Sequence, residues 1–253
     1  MSVRRRYHAA MGGGTLFTPN SITGIQGWWR ADAITGLVDG NLIDSTLSRY
    51  WPDSSLNARD LQEPSAPPTY KTNIINSLPA VRFIRASTNR MVIKTGQPAL
   101  AGDTKPITFV VVFSLNSNPA AVMNIFGTTV NATSGVTLNF STALVPRLQV
   151  NNTAITPGGA TAVVGTWEIF VATYSATGDY AYYTNGTAGN SGNNNIAPTS
   201  GSDRRFGGTG AGGTTQNLDA DVAEMIQYDN VISAGDRSSL THYLGTKYNI
   251  TVV

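Results

Sequence analysis

The chain contains no cysteine, which excludes disulfide bonds, thiolate nucleophiles and cysteine-ligated zinc. Histidine is almost absent: His8 and His242 are the only imidazoles, and without cysteine partners they do not suffice for a zinc site. His242 is also the only base that a serine triad in the folded part could use, and no nucleophile-elbow motif accompanies it. No run approaches the ~20 consecutive apolar residues of a membrane-spanning helix, so we expect no membrane partner.

Charge is also scarce. Charged residues make up 13% of the 253 residues, whereas hydrophobic residues make up 41%, a balance that favours a folded core over a disordered chain. The formal net charge of +2 comes from three adjacent residues, Arg4, Arg5 and Arg6, and the rest of the chain is close to neutral. A nucleic-acid-binding domain carries a basic face across its body, so we do not expect a nucleic-acid partner.

Glutamate occurs only three times, at Glu63, Glu168 and Glu224. A glycosidase needs two carboxyl groups placed across the bond that it cleaves. The nearest cluster is "DADVAE", where strand alternation puts Asp219 and Asp221 on one face and Glu224 on the other unless a bulge intervenes. We therefore expect no enzymatic activity and assign no catalytic residue. A glycoside hydrolase, with Asp221 and Glu224 facing one cleft, is the least favoured alternative.

Turn-forming residues are abundant, with 26 Gly and 12 Pro beside many Asn, Thr and Ser. Between them lie short segments rich in β-branched and aromatic residues, which predict an all-β fold. The early ones are "AVRFI" (80–84), "ITFVVVFSL" (107–115), "VMNIFG" (122–127), "VTLNFS" (136–141) and "RLQV" (147–150). The segment 107–115 is apolar on both faces, which predicts a central strand that is covered on both sides.

A β-hairpin is predicted over residues 167–187, "WEIFVATYSATGDYAYYTNGT". Trp167 and Val171 fit the core. Tyr180 and Tyr182 share one face of the returning strand, and they fit two roles: stacking on a sugar or ordinary packing in the scaffold. Packing is the more frequent role of such tyrosines, and both interpretations stay open here.

The last part of the chain predicts a strand followed by a helix. In "ADVAEMIQYD" (220–229), alternation assigns one face to Val222, Glu224, Ile226 and Tyr228. A buried glutamate on that face would need a partner. In "SAGDRSSLTHYLGTKYNI", Ser233 can cap a helix in which Asp236 is the third residue. We expect this short helix to pack against a sheet.

Residues 1–22 show no helical or strand period and contain a glycine triplet and a proline, so we expect an extended arm rather than part of the body. A segment of this composition buries too little apolar area to fix itself, and a neighbouring protein is the simplest anchor. The predicted anchoring residues are Arg4, Arg5, Arg6, Tyr7, Leu16 and Phe17. The alternative is that the arm lies along its own body. Residues 23–253 are predicted to form one domain.

Several segments together resemble a known family. They are "GWWRAD" (27–32), "WPDSSLNARDL" (51–61), "LPAVRF" (78–83), the hairpin with its closing "YTNGT", and "DVAEMIQYDNVIS" followed by "DRSSLTHYLGTKYNI". In this order they resemble a concanavalin A-like lectin/glucanase domain in its laminin G-like form, as found in bacterial surface proteins and tailed-phage particles. The resemblance implies a two-sheet antiparallel jelly-roll sandwich with a short C-terminal helix, to which the chain adds the extended N-terminal arm.

The resemblance implies two functions. The first is a non-enzymatic structural or decoration component of a tailed-phage particle, located in the virion and assembled in the host cytoplasm. Its partners would be other virion proteins such as capsid or tail subunits, and it would be oligomeric in the assembly. The second is a lectin module that attaches to cell-surface glycans, for which the candidate glycan-binding residues are Tyr180, Tyr182, Asn193 and Asn194.

No cofactor is expected except calcium, which related lectins and laminin G domains bind through loop oxygens. The weak calcium candidates are Asp53, Asn57 and Asp60, which share one loop. The alternative is that these side chains form Asx turns, which is the commoner role of such residues in loops.

Overall fold

A computed structural model of the chain describes residues 17–98, 106–118, 122–128, 135–151, 153–155, 160–198, 204–208 and 216–253. Within these ranges the chain forms fifteen strands and one α-helix, and the strands build two antiparallel sheets. In the same ranges no helix combines the length and the apolar character needed to cross a membrane.

The first sheet has eight strands. Seven lie in the order β13 (Thr187–Asn193), β12 (Asp179–Thr184), β11 (Trp167–Tyr174), β6 (Ile107–Leu115), β15 (Ala220–Tyr228), β4 (Leu78–Phe83) and β3 (Thr69–Ile75), and β1 (Ile25–Arg30) also pairs with β15. The second sheet has seven strands in the order β10 (Thr153–Ala154), β9 (Pro146–Val150), β8 (Val136–Phe140), β7 (Met123–Thr128), β14 (Arg204–Phe206), β5 (Met91–Ile93) and β2 (Leu61–Gln62). The predicted all-β, two-sheet antiparallel sandwich is confirmed.

The central strand has the position that its composition predicted. All nine residues of β6 are buried, and the strand lies between β11 and β15. Alternate side chains enter different cores, because Phe109, Val111 and Phe113 pack between the sheets while Val110 and Val112 pack on the outer face. A strand that is apolar on both faces therefore has an apolar partner layer on each side.

The two apolar layers differ in what covers them. Aromatic rings fill the space between the sheets, for example Trp29 against Phe206 at 4.8 Å between ring centroids. The outer face of the first sheet is covered by helix α1 (Ala234–Tyr248), which buries Leu240 and Leu244 against it. The helix begins as predicted, with the Ser233 side chain accepting a hydrogen bond from the backbone N–H of Asp236 at 3.0 Å.

A β-bulge in β15 changes the predicted alternation. Val222 pairs with Phe113 and Glu224 with Val112, so Ala223 is an extra residue. Val222 consequently faces the core between the sheets, whereas Ala223, Ile226 and Tyr228 face the helix side. The prediction that Val222 shares a face with Ile226 and Tyr228 is therefore wrong, because the bulge inserts one residue between them.

The segment before β1 lies against the body from Phe17 onward. The ring of Phe17 packs on Tyr243 of α1 at 5.9 Å, the hydroxyl of Tyr228 donates to the carbonyl of Pro19, and Ile22 is buried in the layer beneath the helix. Residues 17–22, predicted as part of the arm, thus contact their own body. Phe17 is one of them, although it was predicted to anchor a partner. The other anchoring candidates, Arg4, Arg5, Arg6, Tyr7 and Leu16, lie outside the described residues.

Glu224 joins the helix to the sheet. Its carboxylate accepts hydrogen bonds from the indole N–H of Trp28 and, at 2.7 Å each, from the ammonium of Lys247 and the hydroxyl of Tyr248. The side chain is completely buried. The last turn of α1 therefore supplies the cation that a buried glutamate needs, Lys247. The ammonium of Lys247 also contacts a second carboxylate, that of Asp32, at 3.0 Å.

Lys247→Met should destabilise the fold, because it leaves Glu224 buried without a cation. We expect the free energy of unfolding to fall by about 3 kcal/mol, the usual cost of removing one partner of a buried ion pair. The double variant Glu224→Gln/Lys247→Met should recover a large part of that loss, since it removes the unpaired charge. Urea denaturation followed by tryptophan fluorescence at pH 7 measures both, and equal losses in the two variants would contradict this account.

Candidate functional site

The outer face of the second sheet carries polar side chains in place of an apolar layer. On β8 and β9, Val136, Leu138, Phe140, Leu148 and Val150 point into the core between the sheets. The residues between them, which alternate to the outside, are polar. We define the polar face as Asn124, Thr137, Asn139, Arg147, Gln149 and Arg205, of which the first three are buried and the last three are partly exposed.

Strand pairing aligns these side chains in two rows. In the first row, Arg147 pairs with Asn139 and Asn139 with Asn124, across β9, β8 and β7. The Nε of Arg147 donates to the Asn139 Oδ1 at 3.0 Å, and the Asn139 amide donates to the Gln149 Oε1 at 2.8 Å. The side-chain planes are thereby held in place by one another, which preorganises the row for a ligand.

The second row runs from Gln149 through Thr137 and Gly127 to Arg205. Gly127 is required here because a Cβ at this position would approach Oγ1 and Cγ2 of Thr137 to 2.8 Å. The threonine side chain therefore occupies the space over the β7 backbone that a Cβ at position 127 would need. The row continues through Val92 to Gln62, so it crosses six strands.

One acceptor atom of the Asn124 side chain has no hydrogen-bond partner among the described residues. Its amide N–H donates to the Gln216 Oε1 at 3.1 Å, yet its Oδ1 is buried without a hydrogen-bond partner in the part of the chain that the structure describes. The residue is only 3% exposed. An unpaired buried acceptor costs free energy and marks a place where a ligand donor would be stabilising.

The polar face is positively charged. Arg147 and Arg205 belong to it, and none of its six members is acidic. Burial lowers the pKa of Arg147, but a guanidinium stays protonated at neutral pH. Within the row, the Arg147 guanidinium bonds through its Nε, which donates to the Asn139 Oδ1 at 3.0 Å. Planar amides and guanidinium groups of this kind suit hydroxyl and carboxylate groups of a polar ligand.

Two of the predicted glycan-binding residues are part of the scaffold. Tyr182 is completely buried, and its hydroxyl accepts a hydrogen bond from the backbone N–H of Leu148 in the opposite sheet at 3.0 Å. Tyr180 is 8% exposed and packs on Tyr182 at 5.6 Å between ring centroids. Neither ring has a free face for a sugar, so the prediction that they bind glycans is wrong and the packing alternative is correct.

The two asparagines at the end of β13 are placed differently. Asn193 is exposed, and its amide donates to the carbonyl of Thr177 and the carboxylate of Asp179. The backbone carbonyl of Asn194 accepts from the hydroxyl of Tyr174 at 2.7 Å. Their role in glycan binding stays a prediction, and they lie at the edge of the first sheet, whereas the polar face belongs to the second sheet.

The calcium candidates are engaged within their own loop. The Asp53 carboxylate accepts from the backbone N–H groups of Trp28, Ser55 and Arg59, Asn57 donates to the carbonyl of Ile25, and Asp60 accepts from the backbone N–H of Asp53. These contacts are those of an Asx-type turn. Over the described ranges no three His, Cys, Asp or Glu residues are grouped so that they could hold a metal. Calcium binding stays a prediction.

The carboxylates predicted for the hydrolase alternative have separate partners. Asp221 forms a bidentate pair with Arg82, with both N–O distances at 2.7 Å. Glu224 is enclosed by Trp28, Lys247 and Tyr248. The bulge in β15 does intervene, but each carboxylate has its own cation as a partner, Arg82 for Asp221 and Lys247 for Glu224.

Glu168 is the remaining buried carboxyl group of note. It is 6% exposed, its Oε1 accepts from the backbone N–H of Val163 at 3.4 Å, and its Oε2 has no hydrogen-bond partner among the described residues. Burial raises the pKa of Glu168 above its usual value of 4.5, and the Val163 contact only partly opposes this.

Glu168 should therefore make stability depend on pH. Because its pKa is higher in the folded state, its contribution is present in full below pH 4.5 and is lost as the pH rises through the folded-state pKa. The variant Glu168→Gln has no titrating group at this position, so its free energy of unfolding does not fall in this way. The free energy of unfolding of the variant should therefore rise relative to that of the wild type between pH 4 and pH 7. Urea denaturation across this range measures the difference, and a constant or shrinking difference would contradict the assignment.

Comparisons with known proteins support the fold. No protein-family model matches the chain, and no curated protein matches it in sequence. Among solved structures, Trypanosoma rangeli sialidase in complex with the inhibitor DANA matches with a TM-score of 0.58 and 14% identity, covering 89% of this chain and 33% of the sialidase. The binding domain of botulinum neurotoxin serotype D matches with a TM-score of 0.60 and 11% identity, covering 88% of this chain and 52% of that domain.

A second structure of the toxin, the receptor binding domain of botulinum neurotoxin D, gives a TM-score of 0.59 at 10% identity. The chain spans about a third of the sialidase and about half of the toxin domains that it matches. At such low identity these likenesses show that the chain shares the β-sandwich fold of these proteins, and they do not assign a function.

Proposed function

We propose that the protein is a non-enzymatic, carbohydrate-binding β-sandwich of the concanavalin A-like type, and that the polar face is its binding site. The observation that carries the proposal is the pair of ordered side-chain rows on the second sheet. Arg147, Asn139 and Gln149 are fixed by mutual hydrogen bonds, while the buried Asn124 keeps an unused acceptor. Sugars are recognised by such preset planar groups, because each hydroxyl both donates and accepts.

The charge of the face favours an acidic sugar. Arg147 presents terminal N–H groups, and a guanidinium binds a carboxylate through two parallel hydrogen bonds. A glycan bearing a sialic or uronic acid would meet the positive charge of Arg147, and none of the six members of the polar face is acidic. Two proteins that share the fold, a sialidase and a receptor binding domain, are compatible with glycan recognition.

The arrangement of the carboxylates supports binding without hydrolysis. Asp221 and Glu224 are paired with Arg82 and Lys247, and Glu63 is paired with Arg90 at 3.2 Å. A general acid and a second carboxyl group must both reach the same glycosidic bond. None of these pairs involves a member of the polar face.

Arg147→Gln should weaken binding of an acidic glycan at least tenfold, because it removes the bidentate donor. A glycan array that contains sialylated, uronic-acid-bearing and neutral glycans gives the ranking, and titration calorimetry with sialyllactose and with a glucuronic acid disaccharide gives the affinities. Arg237→Gln is the matched control, since it removes the same charge from α1, where Arg237 lies over the ring of Tyr183. Wild-type protein that binds no array glycan, or equal losses in both variants, would contradict the proposal.

We also propose, as a second function, that the protein is displayed on a tailed-phage particle as a decoration component, in contact with capsid or tail subunits. The placement of Phe17 favours this. Phe17 packs on α1, which covers the first sheet, whereas the polar face belongs to the second sheet. The described part of the chain thus begins on the side of the sandwich opposite to the polar face, and an anchor N-terminal to Phe17 suits display of that face. The virion location and an oligomeric state are part of this proposal.

Deleting residues 1–16 tests the second function without disturbing the packed segment 17–22. We expect the truncated protein to keep its thermal stability and to be lost from purified particles, as detected by electron microscopy and by immunoblotting of the particle fraction. Unchanged incorporation would contradict anchoring by the arm. Substituting Arg4, Arg5 and Arg6 by Gln in the full chain separates a charge effect from an effect of length.

A further inference from the structure

A groove of about 590 Å³ lies along α1, on the opposite side of the sandwich from the polar face. It is bounded by the helix on one side and by the β3–β4 turn with Leu78 on the other, and Phe17 closes part of it. We call it the helix groove. Its volume falls in the range of sites that hold small ligands, which is about 300 to 1,000 Å³.

One wall of the helix groove is apolar and aromatic. Tyr243 and Phe17 pack with their ring planes at 59° to each other, and Leu78 lines the same groove. Both rings are only partly buried, so each keeps exposed surface. Burial raises the pKa of Tyr243, so its hydroxyl is neutral at physiological pH and can donate or accept a hydrogen bond.

The charged groups at the floor of the groove compensate one another. The ammonium of Lys247 contacts Asp32 Oδ1 at 3.0 Å and Glu224 Oε2 at 2.7 Å, and the Asp32 Oδ2 lies 3.6 Å from Arg30. Two carboxylates therefore face two cations, and an ionic ligand would find no unpaired counter-charge. Lys247 has three N–H donors, of which these contacts use two, and Asp32 is partly exposed with further lone pairs.

The rim of the groove is made of polar groups of α1. Ser239 and Thr246 are exposed on α1 and contribute hydroxyl groups. His242 Nδ1 lies 2.9 Å from the carbonyl of Ser238. Because a carbonyl only accepts, Nδ1 carries the proton in the neutral ring, and Nε2 is left as an acceptor. The rim thus offers both donors and acceptors.

We infer that the helix groove is a second saccharide-binding site, specific for a neutral sugar ring. The apolar side of the ring packs on Tyr243 and Phe17, and two adjacent hydroxyl groups bond to Asp32 and Lys247. The charge balance of the floor selects against the acidic sugars that the polar face would take. The inference uses none of the residues of the polar face, so it stands or fails independently of the function proposed above.

The test is saturation-transfer NMR with the methyl glycosides of glucose, galactose, mannose and N-acetylglucosamine. Thr246→Trp fills the groove from an exposed position, so the core is left intact. Ser238→Trp is the matched control, since Ser238 is exposed on the same helix and does not line the groove. We expect transfer to at least one glycoside with the wild type and with Ser238→Trp, and a signal at least tenfold weaker with Thr246→Trp.

Arg147→Gln should keep the neutral-sugar signal, which separates this site from the polar face. Circular dichroism confirms that each variant is folded, and Ser239→Trp replaces Thr246→Trp should the latter fail to fold. The inference is overturned by the absence of transfer from the wild type to all four glycosides. It is equally overturned by a signal that Thr246→Trp leaves unchanged, or by one that Arg147→Gln abolishes.

Discussion

The buried carboxylate of Glu224 is the interaction on which the arrangement of the molecule depends. It lies on the central part of the first sheet and accepts hydrogen bonds from β1 through Trp28 and from the last turn of α1 through Lys247 and Tyr248. A buried charge is tolerated only when its partners surround it, so strand, helix and the chain around Asp32 must all be in place together. This requirement fixes the position of the C-terminal helix on the sheet more specifically than apolar packing of Leu240 and Leu244 alone.

The bulge in β15 lets one strand serve the apolar layers on both sides of the first sheet. Glu224 lies on the helix side with Ile226 and Tyr228, as regular alternation over these residues requires. Val222 pairs with Phe113 and faces the core between the sheets, and Ala223 is the extra residue between this pair and the pair of Glu224 with Val112. In a regular strand Val222 would share the face of Glu224, so the bulge is what returns this apolar side chain to the core.

The two outer faces of the sandwich differ, because helix α1 covers the outer face of the first sheet. The face under α1 is apolar with one compensated ionic cluster, and it borders a groove of neutral character. The outer face of the second sheet keeps its amides and guanidinium groups, held in rows by hydrogen bonds between neighbouring strands. Because β-sheet geometry places alternate residues on opposite faces, the same strands that supply the core also display this polar surface. The two proposed sugar sites follow from this difference in chemistry.

Periodicity and turn chemistry in the sequence were sufficient to predict the fold class, the buried strand 107–115, the hairpin 167–187 and the Ser233-capped helix. Each of these predictions depends on residues close together in the chain. The polar face was not predictable. Thr137, Asn139, Arg147 and Gln149 alternate with apolar residues as polar residues do on the outer side of any strand, and their rows exist only through pairing between strands. Tyr180 and Tyr182 were ambiguous for the same reason, since alternation groups side chains on a face without saying which face is buried. The sequence by itself determined which residues share a side of each strand. Only the tertiary structure decided which of these sides face the core, because burial depends on contacts between residues far apart in the chain. It also depends on the bulge in β15, which no local sequence pattern predicts.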